Sequence, residues 1–176
     1  MPDPVTIIGG IPIPSTSPIF LSDVGVHVVL GIIAVAAGIV AMLSVKGPGR
    51  HPGFGTVYYW CLVGIFVTAT SLSIVRWSED YHLFILAALA LLAASVGRNA
   101  RQQRWRNWPR FHVFGMGMSY VLLVTAFYVD NGKNLPLWRE LPQAAFWILP
   151  GAIGLPIVLY VLLRHPIARQ VTRGGR

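Results

Sequence analysis

Five long stretches of this chain contain no charged side chain, and that constrains the fold more than anything else in the sequence. They run over 24–45, 54–75, 81–96, 111–129 and 143–163. A helix rises about 1.5 Å per residue, so a stretch the length of the first covers about 30 Å, the hydrocarbon thickness of a bilayer. Hydrophobic residues make up 55% of the chain and charged residues 11%, where soluble domains carry about 25% charged residues. A soluble fold of 176 residues has too little interior to hide so much apolar surface; lipid removes the need. The expected fold is therefore all-α, an integral membrane bundle of five transmembrane helices.

The segments between the stretches are polar and rich in chain breakers. Lys46-Gly-Pro-Gly-Arg50-His51-Pro52-Gly53 separates the first two, a density of Gly and Pro that marks a turn. Arg76-Trp-Ser-Glu-Asp80 reads as a polar link, Arg98–Arg110 as a strongly basic loop with Trp105 and Trp108, and Asp130–Pro142 as a further polar loop. Pro150 and Pro156 inside the fifth stretch predict a kinked helix. Residues 1–23, with Pro2, Pro4, Pro12, Pro14 and Pro18, lack the basic start of a signal peptide and read as an extended outer segment. The membrane domain is then 24–163, and 164–176 is a basic tail.

Charge sorts across five spans. Eleven of the fourteen basic residues, Lys46, Arg50, Arg98, Arg101, Arg104, Arg106, Arg110, Arg164, Arg169, Arg173 and Arg176, fall on one side; all six acids, Asp3, Asp23, Glu79, Asp80, Asp130 and Glu140, fall on the other. Basic residues concentrate in cytoplasmic loops, so the N-terminus is expected outside and the C-terminus in the cytoplasm, in a bacterial inner membrane. The net charge of +8 has the same origin. With no basic soluble domain, nucleic acid is not an expected partner. The six tryptophans fall mostly near the span ends, as an interfacial belt does.

No phosphate loop, dinucleotide fingerprint, HExxH or GxSxG is present, and no carboxylate lies inside a span. Whether the chain is an enzyme stays open, and no catalytic residue is assigned. The single cysteine, Cys61, reads as a small buried hydrophobe. Histidine is what remains. His27 and His82 lie near the outer ends of spans one and three, His51 and His112 near the inner ends of spans two and four; His165 is in the tail. Steps of three and four from His27 reach Gly31, Ala34, Gly38 and Ala41, a small-residue face that marks close helix contact. From His112 they reach Met116, Ser119 and Leu123, with Gly115 and Gly117 leaving room for another backbone or a flat ligand; from His51 they reach Gly55, Tyr58 and Leu62. The ordinary account of each ring is a headgroup-level residue bonded to water or phosphate. The paired layout also suits two b-type haems, each iron taking two imidazoles. That makes His27, His82, His51 and His112 the candidate cofactor and iron ligands. Arg50 and Arg110 are then candidates to meet haem propionates, lipid phosphates or a quinone headgroup. A copper or zinc ion on the same rings, with Met116 and Met118 suiting soft Cu(I), is a further alternative. Tyr58, Tyr59 and Tyr120 are candidates to bond a buried ligand.

Three stretches carry a resemblance. They are His27 with Gly31, Arg50-His51-Pro52-Gly53-Phe54-Gly55-Thr56-Val57-Tyr58, and Phe111-His112-Val113-Phe114-Gly115-Met116-Gly117-Met118-Ser119-Tyr120. The last two are similar to the H-R-x-x-G-R-x-Y and H-R-x-W-M-x-x-S-Y elements of an uncharacterised family of bacterial multi-pass membrane proteins of unknown function. Pro52 and Val113 stand where that family has arginine after each histidine. The layout also resembles the two-haem membrane cytochromes b, as architecture and not as motif. Three functions follow as expectations. The first is a small transmembrane redox protein between a quinone or soluble donor and an acceptor. The second is a non-enzymatic accessory subunit of a larger membrane complex or homo-oligomer. The third is a transporter or lipid-binding protein centred on the Pro150–Pro156 segment.

Overall fold

A computed structural model of the chain describes residues 6–8, 11–13, 17–136 and 138–164. Five helices dominate it: α1 Pro18–Leu43, α2 Arg50–Val75, α3 Trp77–Gln102, α4 Trp108–Asn131 and α5 Gln143–Arg164. All five are long and apolar enough to cross a membrane. Two three-residue strands, β1 Thr6–Ile8 and β2 Ile11–Ile13, pair antiparallel with Ile7 opposite Pro12. They fall in the predicted extended segment; 1–5, 9–10 and 14–16 lie outside the described residues, as does the tail 165–176 with His165.

Four helices start earlier than the apolar stretches do. α1 begins at Pro18, not at 24, because a proline at the first helical position has no N–H to lose and its φ already suits the helix. Pro109 plays the same part in α4, which starts at Trp108 rather than at 111. The second helix takes in Arg50, His51 and Pro52. The predicted link 76–80 shrinks to one residue, Arg76. Glu79 and Asp80 sit in the first turn of α3, where the helix dipole favours anions. The Arg76 carbonyl accepts from both their backbone N–H groups, and its guanidinium pairs with both carboxylates. The fifth helix is continuous through Pro150 and Pro156.

The chain divides into two compact units that part inside α3, between Phe84 and Ile85, and the first also takes in Asn134–Pro136. In the first, α1 packs on α2. Ala34, Ala37, Gly38 and Ala41 are the buried residues of α1, close to the small-residue face predicted from His27. Leu30 seats on Gly64, where a Cβ would stand 2.7 Å from its Cδ1. The opening turns of α3 join this unit through Phe66 and Phe84, 5.8 Å between ring centres, and through the buried Ser73 hydroxyl, which donates to the Asp80 carbonyl at 3.2 Å.

The second unit holds the rest of α3 with α4 and α5. Here α3 and α4 meet backbone to backbone: a Cβ on Gly115 would lie 2.6 Å from the Ala93 carbonyl oxygen and 2.8 Å from the Gly97 Cα. α4 and α5 interlock at three glycines. Phe146, 1% exposed, fills the space over Gly132; Val121 fills that over Gly154; Val158 fills that over Gly117. The residues 146, 150, 154 and 158 recur every four positions, so one stripe of α5, with Pro150 buried in it, faces α4.

Candidate functional site

The histidines are not clustered: among the described residues no group of three or more His, Cys, Asp or Glu side chains is placed to hold a metal ion. Each of three histidines instead bridges two helices. His51 opens α2, and its Nδ1 lies 2.8 Å from the carbonyl oxygen of Ala41. A helix leaves its last four carbonyls without intrahelical partners, and the end of α1 is closed by side chains. Ser44 donates to Val40 through its backbone N–H at 2.9 Å and its hydroxyl at 2.6 Å. Lys46 Nζ donates to Met42 at 2.5 Å and to Ala41 at 3.2 Å. Desolvation at this corner pushes the Lys46 pKa below the usual lysine value. Gly49, with φ of +108°, makes the turn into α2 in a conformation that favours glycine.

His112 repeats the arrangement in the other unit. Its Nδ1 lies 3.0 Å from the Gly97 carbonyl of α3, beside the Gly97–Gly115 crossing, and Trp108 lies against its ring at 6.5 Å between centres. His27 is half-buried on α1, its Nδ1 2.8 Å from the Thr68 hydroxyl of α2. The Thr68 hydroxyl is also within bonding distance of the Gly64 and Ile65 carbonyls, at 3.0 and 3.1 Å.

These partners decide the ring chemistry. A carbonyl only accepts, so Nδ1 of His51 and of His112 carries the hydrogen and donates. With the Thr68 hydrogen turned to its own helix, as hydroxyls in helices commonly bond, Nδ1 of His27 donates too. In the neutral ring the lone pair then sits on Nε2. Metal-binding histidines are commonly oriented this way, by an oxygen on the ring nitrogen that does not hold the metal. His82 is half-buried on the second turn of α3, edge-on to Tyr81 at 5.7 Å between centres.

The faces predicted for the histidines are largely the ones that pack. Tyr58 and Leu62, in step with His51, are each 2% exposed, and Ser119, in step with His112, is fully buried. The room foreseen beside His112 is filled by protein: Gly115 by the α3 backbone and Gly117 by Val158. Met116 lies against Gly97 with its Cγ, so its place is a helix contact. Trp60 departs from the interfacial belt, standing exposed near the middle of α2. Arg50 and Arg110 are both exposed at helix starts. Arg110 borders an apolar cleft of about 440 Å³ between α4 and α5, which sequence periodicity had no means of finding because its two walls come from different helices.

Neither family models, curated proteins nor solved structures give a match to this chain.

Proposed function

We propose that the chain is a small redox protein of the bacterial cytoplasmic membrane, with its N-terminus outside and its C-terminus inside. In this reading it holds b-type haem through histidine Nε2 atoms and passes electrons between a quinone or soluble donor and an acceptor. The observation that supports it is the shared ring chemistry: Nδ1 of His51 and of His112 donates to a carbonyl, and Nδ1 of His27 meets Thr68. In each neutral ring the lone pair is then on Nε2, the kind of donor atom haem iron takes. His27 and His82 belong to one unit and both lie in the first half of their helices, which makes them the first ligand pair to test. His51 and His112 are further ligand candidates. The test is the visible spectrum of protein purified from haem-replete cells. A reduced-minus-oxidised Soret and alpha band, lost in His27→Ala and His82→Ala, is expected; haem-free and metal-free protein overturns the reading.

A second reading is favoured by the same bonds. His51 completes the cap of α1 and His112 ties α4 to α3, so both rings have a structural account without any cofactor. The protein is then a non-enzymatic accessory subunit. It should co-purify with a larger membrane complex in mild detergent, and a monodisperse monomer without a partner argues against it.

A further inference from the structure

The geometry points to a binding site for one anionic phospholipid on the second unit, in the cleft between the start of α4 and the end of α5. The cleft measures about 440 Å³, within the roughly 300–1,000 Å³ common for small-ligand sites. Its floor and walls are hydrocarbon: Phe111 and Phe114 from α4, Leu159, Leu162 and Leu163 from α5. Its polar lining is confined to one end, where Asn107 precedes α4 and Arg110 lies in the first turn. From Asn107 to Phe114 the cleft follows α4 for about 10 Å, long enough to seat the upper part of an acyl chain.

Charge selects the occupant. Arg110 is exposed at the mouth, and Arg104 and Arg106 precede it in the same short loop, with no acid between Arg98 and Arg110. Trp105 meets Phe111 edge-on at 5.6 Å between centres, an aromatic pair at headgroup level. A guanidinium grips phosphate with two parallel hydrogen bonds and stays charged at any working pH. A polar end whose one charge is cationic and an interior that is apolar match a phosphate ester joined to a hydrocarbon chain, and the surplus of positive charge favours a headgroup with net negative charge. The site is independent of any haem.

Native mass spectrometry of the full chain in mild detergent, with equal amounts of phosphatidylglycerol and phosphatidylcholine, tests this. Wild-type protein should retain phosphatidylglycerol preferentially. Arg110→Gln should lower that retention about fivefold, the effect of one arginine at a charged membrane surface, and leave phosphatidylcholine unchanged. Leu159→Trp, which fills the cleft from an exposed position, should lower phosphatidylglycerol retention with Arg110 intact. Arg139→Gln, in the loop before α5, should change nothing. Equal retention of the two lipids by the wild type, or undiminished phosphatidylglycerol in both Arg110→Gln and Leu159→Trp, overturns the proposal.

Discussion

At Thr68 the polar chemistry of the α1–α2 contact converges on one hydroxyl, 8% exposed, with the His27 ring at 2.8 Å and two backbone carbonyls at 3.0 and 3.1 Å. Hydrogen bonds between membrane helices are worth about 0.6–1.7 kcal/mol. Thr68→Val keeps the shape and removes the acceptor, so it should destabilise by about 1 kcal/mol, while Thr68→Ser should stay near wild type. Graded unfolding in detergent, followed by circular dichroism, separates the two; equal loss in both would mean the hydroxyl contributes nothing. Backbone strain sits at Arg104, whose φ of +50° is left-handed. Trp105 N–H donates back to the Ala100 carbonyl at 3.1 Å and Arg104 N–H to the Arg101 carbonyl at 3.4 Å, the paired hydrogen bonds that end a helix, usually with glycine. Arg104→Gly should therefore raise stability, by about 1 kcal/mol, measured as a higher melting temperature.

Between elements, glycines differ by what stands over them. A Cβ on Gly115 would meet backbone atoms of α3 at 2.6–2.8 Å, which cannot rotate away, whereas one on Gly64 would meet the tip of the Leu30 side chain. Overpacking costs about 1–3 kcal/mol where neighbours must shift. Gly115→Ala should fall at or beyond the top of that range and force α3 and α4 apart, and Gly64→Ala should lose less than about 1 kcal/mol. Unfolding by SDS titration ranks the two; a Gly115→Ala protein as stable as Gly64→Ala would mean that the close crossing is not maintained. The ties made by His51 and His112 act at the same scale, since each joins the start of one helix to a carbonyl near the end of the preceding one.

For the whole molecule the property to test is orientation. Five helices long enough to cross place the termini on opposite sides of a membrane when all five span, and the basic segments beside Lys46 and Arg104 are then expected inside. In a Cys61→Ala background, a cysteine at Gly47 should react with an impermeant maleimide only after cells are opened. One at Asn134 should react in intact cells. The reverse pattern inverts the proposed topology, and equal labelling of both in intact cells removes the five-span reading.

The helices themselves were legible in the sequence because charge is excluded from hydrocarbon at every position, so each span announces itself without reference to any neighbour. The small-residue face from His27 was legible for a related reason: periodicity reports which side of a helix is crowded, and Ala34, Gly38 and Ala41 are buried. The true starts at Pro18 and Trp108 were missed because proline reads as a breaker until its place in the helix is known. The fate of Gly115 and Gly117 was undecidable from spacing, since a glycine offers room without saying to whom. Only tertiary structure awarded it to α3 and to Val158. The sequence by itself determined that this chain belongs in lipid, how many helices it has and where histidine lies along them. Which oxygen each ring bonds, and so which nitrogen keeps its lone pair, was decided by packing, because hydrogen bonds at 2.8–3.0 Å depend on the register between helices and not on the order of residues within one.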